Sequence, residues 1–215
     1  MSSATRSDPY VEPTQPVRST ELLGALELVT PASGSVLEIE PLRKWLRVDH
    51  ALDNDQIGDL LEVATVFCET EISGHRQIRQ AVYDLPARCW WAGELCLPRP
   101  PLSSVLSVKY YDTQGSEQTL ASSFYLVRTP WRAPGTIERA PDQTWPGLQG
   151  DRSHPVTIRF RAGYASGSVP ATIKQAIRFL VTQWYEQRLS VGKADKETVH
   201  AVSCLLQSDS YGSYK

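Results

Sequence analysis

The sequence predicts an α+β fold: a small helical bundle carrying a β-rich meander lobe, with extended termini. Three observations predict it. Apolar residues recur at helical spacing in two long segments, about 55–74 and 170–189, and in a short one at about 40–48. Between the long segments, across about 80–161, the apolar period falls to two. Pro9, Pro13, Pro16 and Pro31, set among Ser and Thr, leave the first 35 residues little to pack with beyond the run Leu22 to Val29. The organisation expected is an extended arm over 1–35, a domain over 36–190 holding the bundle and the β lobe, and a short helix and tail over 191–215. With 215 residues, 41% of them hydrophobic, a packed core is within reach.

The short helix follows from Pro41, which a first helical turn tolerates, and from Leu42, Trp45 and Leu46 on one side. Asp53 stands three residues before Gln56, the spacing of a capping box, and opens the first long helix. Ile57, Leu60, Leu61, Ala64, Phe67, Cys68 and Ile72 form its stripe, Cys68 as a core thiol, and Gly74 offers a stop. Strands are expected at Val82–Leu85, Glu94–Leu97 and Val105–Tyr111, with the Pro98, Pro100 and Pro101 cluster as a stiff corner. Asp112-Thr113-Gln114-Gly115 reads as a turn into Thr119, Leu120 and Phe124–Val127. Trp131 to Pro155 is rich in Pro and Gly and reads as a long surface excursion, after which Val156–Phe160 alternates as a strand. Gly163, Gly167 and Pro170 turn the chain into the second long helix, whose stripe is Ile173, Ala176, Ile177, Leu180, Val181 and Trp184. Trp45 and Trp184 are thereby placed on buried stripes. Val199, Val202, Leu205 and Leu206 make a last amphipathic segment, too short to stay helical without a surface to lie on.

Composition excludes several classes of function. Lys and Arg number 22 against 24 Asp and Glu, a net charge of -2, so the chain carries no basic footprint for gripping nucleic acid. No apolar run approaches the roughly 18 residues of a membrane span, and the opening residues lack the pattern of a secretory signal, so synthesis in the cytoplasm is expected. Cys68, Cys89, Cys96 and Cys204 are scattered, without zinc-knuckle spacing or a nearby His pair, so no metal site and no disulfide framework are expected. His50, His75, His154 and His200 fall in turns, loops or the tail, and no nucleophile elbow, phosphate loop or zinc-protease motif occurs. No catalytic residue and no cofactor are therefore assigned. The glycines of AGYASGS, 162–168, are explained by a tight strand-to-helix turn. Trp90, Trp91, Trp131 and Trp145 fall in loops or strand ends, where exposed rings would suit either a carbohydrate-binding platform or anchors at a protein interface.

Five stretches, in order, resemble the head-to-tail connector family of tailed bacteriophages, also called adaptor or head-completion proteins. They are LVTPASGSVLEIEPLRKWLRVD (28–49), LPRPPLSSVLSVKYYDTQGSEQTLASSFYLV (97–127), TWPG (144–147), VTIRFRAGYASGSVP (156–170) and IKQAIRFLVTQWYEQR (173–188). The first 24 residues exceed the family's short leader, and the tail has no close match. The resemblance implies a structural virion protein, not an enzyme: a homo-oligomeric ring of about twelve subunits closed by a repeated head-to-tail contact. Its partners would be the portal on one side and a tail stopper or terminator on the other, with double-stranded DNA passing transiently through the lumen and no membrane involved. It would sit at the head–tail interface of the virion, after synthesis in the host bacterial cytoplasm. Near-neutral charge suits such a passage, since a lumen dense in Lys and Arg would hold phosphate and impede DNA movement. Val199, Val202, Leu205, Leu206, Trp131 and Trp145 are the expected partner contacts, the first four by docking their stripe on a neighbour or the portal. In that case removing residues 196–215 would leave a folded chain unable to join particles. The alternative for the stripe is packing on its own domain. The alternative for the protein is a carbohydrate-binding module of a phage tail or baseplate that uses the loop tryptophans.

Overall fold

The computed structural model describes residues 22–72, 76–130, 134–187 and 196–208. Among the described residues, four α-helices and two antiparallel sheets make up an α+β fold with two apolar cores, one helical and one between strands.

The helical core is built as the 3.6-residue stripes require. α1 (Ile39–Trp45), α2 (Asn54–Phe67), α3 (Ala171–Gln187) and α4 (Lys196–Ser208) bury Leu42, Ile57, Leu61, Ala64, Ile173, Ile177, Leu180 and Trp184 against one another. A π-helical turn, Cys68–Ile72, extends α2, and Cys68 lies fully buried in the same core. Trp184 meets the edge of Phe67 with ring centroids 5.8 Å apart. α1 stops at Trp45, short of the expected 48. Arg47 adopts a left-handed φ of 58°, and the Val48 and Arg47 amides fold back onto the Arg43 and Lys44 carbonyls, closing the helix. The capping box does not form. Asp53 makes no side-chain cap; its carboxylate instead accepts the Tyr185 hydroxyl at 2.6 Å, tying the start of α2 to α3.

The larger sheet runs β1 (Glu27–Thr30), β2 (Ala81–Ala87), β8 (Val156–Ala162), β4 (Leu102–Tyr111) and β5 (Glu117–Thr119), in that spatial order. β2 and β8 pair without irregularity from Ala81 opposite Ala162 to Ala87 opposite Val156. Their alternation places Tyr83, Leu85, Ile158 and Phe160 inward and Asp84 and Arg159 outward as a two-pronged ion pair at 2.8 and 2.7 Å. The smaller sheet runs β3 (Glu94–Cys96), β7 (Thr136–Arg139) and β6 (Tyr125–Arg128).

Two expectations are corrected here. Residues 27–30, assigned to the arm, are the edge strand of the larger sheet, with a bulge between Leu28 and Thr30. The 131–155 stretch is not wholly a surface excursion, because Thr136–Arg139 is the central strand of the smaller sheet and Ile137 is fully buried.

Glu69, from the π turn, joins the two cores. One of its carboxylate oxygens accepts the backbone N–H groups of Ile78 and Arg79 at 2.9 and 3.1 Å and the Gln77 amide at 3.3 Å. Gln77 in turn accepts the Tyr83 hydroxyl from β2 at 2.6 Å. Beside it, Gly163 has φ 100°, and a Cβ there would stand 2.4 Å from the Arg79 carbonyl oxygen, so only glycine fits. These groups hold the strand-to-helix crossings at 76–80 and 162–164 together.

Candidate partner-facing surfaces

Nothing in the described residues assembles an acid, a base and a nucleophile. His50 is exposed, His154 packs beside Gly24 with a ring nitrogen 3.3 Å from the Ser153 hydroxyl, and His200 lies 3.7 Å from Cys204 on the exposed side of α4. No group of three or more His, Cys, Asp or Glu able to hold a metal occurs among the described residues. No helix there is long and apolar enough to cross a membrane. Two clefts of about 420 Å³ and one of about 230 Å³ are lined without His or Cys. Burial, with a smaller push from the neighbouring Glu69 charge, raises the Cys68 thiol to about 12, so it is an inert core group.

The loop tryptophans face each other. Trp90 and Trp145 stack with ring centroids 4.6 Å apart and planes 8° from parallel, and Trp91 meets both edge-on. The Trp90 and Trp145 indole N–H groups donate to the carbonyls of Pro146 and Trp91 at 2.8 and 3.2 Å. Trp91 is buried and the other two are half-buried, so the trio pins the 141–150 loop to the β core. Trp145, expected as a partner contact, stacks within its own chain instead of standing free, and one face each of Trp90 and Trp145, which a sugar platform would offer, is taken up by the other. Trp131 lies outside the described residues.

The last helix also packs at home. Val202 is fully buried and Leu206 nearly so in the helical core, with Leu205 half-buried against it and Val199 half-buried. α4 lies along α3 and the π turn. Val202 and Leu206, expected to meet a partner, lie in the chain's own core, the arrangement the sequence offered as the alternative. A chain lacking 196–215 would uncover its own core, so it is not expected to stay intact.

The apolar surface that remains free lies elsewhere. Trp45, expected on a buried stripe, is 46% exposed at the end of α1, where its indole donates to Thr182 at 3.0 Å and Arg178 sits above the ring. Phe179 on α3 is also exposed, and Leu52, in the α1–α2 loop, is 87% exposed. Two sheet edges carry apolar pairs: Leu28 and Val29 on β1, and Leu126 and Val127 on β6. Sequence reasoning missed all of these. Phe179 does carry a signal, since it is apolar but falls off the α3 stripe. Scattered exposed apolar residues need no explanation, but paired ones on open strand edges do.

The fold is similar to that of chains from gene transfer agent particles. One, from the neck of an empty GTA particle computed with C6 symmetry, gives a TM-score of 0.67 at 23% identity, covering 89% of this chain and 98% of that one. A chain from the virion of a native gene transfer agent particle gives 0.67 at 23%, covering 88% and 97%. A third, from the neck of a native GTA particle computed with C12 symmetry, gives 0.66 at 24%, covering 89% and 98%. No protein-family model matches the chain, and comparison with curated proteins finds no match.

Proposed function

We propose that this chain is a structural protein of the neck of a tailed, phage-like particle. It is one subunit of a ring of about twelve that joins the portal to a tail stopper or terminator and continues the DNA channel. The observation that carries this reading is the fold shared with 98% of a neck chain, at a TM-score of 0.67. The cyclic symmetry with which those necks were computed, C6 and C12, supports a ring. The shape of the chain supports it further: two cores, free apolar edges, and no cleft among those described that gathers catalytic groups. With 22 basic against 24 acidic residues, contact with DNA in the lumen is transient and non-specific.

Deleting the coding sequence from a particle-producing strain tests the reading. Filled heads and free tails should accumulate unjoined, and supplying the chain in trans should join them. Complete tailed particles made without it would refute the proposal.

A further inference from the structure

Two of the four sheet edges, β1 and β6, match each other. β1 reads Glu-Leu-Val-Thr and β6 reads Tyr-Leu-Val-Arg, and each ends its sheet with one side of its backbone unpaired among the described residues. Leu28 is 56% exposed and Leu126 43%, far from what a finished edge presents. Glu27 lies directly opposite Asp84 of β2, a like-charge pair, while Asp84 is committed to Arg159. Among the described residues Glu27 has no cation of its own. Arg128, at the far end of β6, holds Glu138 at 2.6 Å and Glu94 at 3.6 Å, yet its side chain is 62% exposed.

We infer that β1 of one subunit pairs antiparallel with β6 of a second copy, Glu27 opposite Arg128 and Leu28 opposite Val127. This inference rests on the ring reading above and supplies its subunit contact. Antiparallel pairing sets the lone carboxylate against the exposed guanidinium and buries aliphatic against aliphatic; parallel pairing would set Arg128 against Thr30 and leave Glu27 unmatched. The two edges differ, so the contact is heterologous and repeats from copy to copy, as ring closure requires. A four-residue seam buries much less than the roughly 1,200 Å² of a stable two-body interface, so it gains strength from closure of the ring and not from a single pair. The bulge after Leu28 and Pro130 after β6 keep the seam short, which limits open-ended strand addition.

Cross-linking tests the register. In the full chain with Cys89, Cys96 and Cys204 changed to Ser, the pair Leu28→Cys and Val127→Cys places two thiols opposite each other across the seam. Mild oxidation of the concentrated protein should give a ladder of covalent oligomers, at least tenfold above either single variant. Leu126→Lys and Leu28→Lys, at exposed positions, should each lower oligomer yield by light scattering with little change in melting temperature. No ladder above the single variants overturns the edge pairing. If light scattering still finds oligomers in that case, the ring reading stands without this seam. The neck reading itself is tested separately, by the deletion above.

Discussion

Glu69 gives the sharpest test of how the two cores are joined. It is 8% exposed, and one oxygen takes two backbone N–H groups and an amide at 2.9, 3.1 and 3.3 Å. Glu69→Ala leaves the buried Ile78 amide and the part-buried Arg79 amide without an acceptor. Each stranded donor costs about 1–3 kcal/mol, and the lost charge-assisted bonds and packing bring the total to about 3–5 kcal/mol. For a chain of this size that lowers Tm by about 6–20 °C. Glu69→Gln keeps an oxygen for both backbone donors and should cost no more than about 1–2 kcal/mol. Calorimetry gives the two melting temperatures, and amide exchange at Ile78 and Arg79 shows whether the loss is local. If Glu69→Ala lowers Tm by less than about 3 °C, or if Gln is as damaging as Ala, the two backbone bonds are not what holds the junction.

Four further outcomes follow from the packing. Thiol titration of the native chain should find Cys89, Cys96 and Cys204 reactive, and Cys68 only after denaturation. Because the unfolded chain releases the Cys68 proton near pH 9.0 and the folded chain only near 12, stability should also fall as pH rises across that window; four fast thiols would contradict its burial. Gly163→Ala puts a methyl 2.4 Å from the Arg79 carbonyl at a positive φ and should cost about 2 kcal/mol or more in denaturant unfolding. Leu206→Ala should cost about 2–4 kcal/mol, as a core residue does, while a change within about 0.5 kcal/mol would mean that α4 belongs against a partner after all.

Long amphipathic periods were legible, and exposed or paired features were not. The stripes of α2 and α3 could be read residue by residue, because a helix buried on one face repeats its apolar positions over many turns. Asp112 was equally legible as a turn: its carboxylate accepts the Gln114 and Ser116 amides, and Gly115 takes φ 80°. β1 gave no signal because all four of its residues are exposed, so alternation never appears in it. β7 was hidden by its neighbours, four residues inside a Pro- and Gly-rich stretch with Ile137 as the fully buried one. Trp45 obeys the spacing of a core residue, but α1 ends on it, and at a helix terminus the stripe no longer decides which way a side chain points. The tryptophan trio depends on contacts across more than 50 residues of chain, which no local pattern encodes. The terminal helix was read correctly as amphipathic, but amphipathicity does not say whose core receives the stripe.

Cryo-electron microscopy of the particle neck tests the central claim most directly. The account predicts a cyclic ring of this chain between portal and tail around an open channel, with the edge of β1 facing β6 of the next subunit. A neck resolved to side chains in which this fold is absent would contradict it.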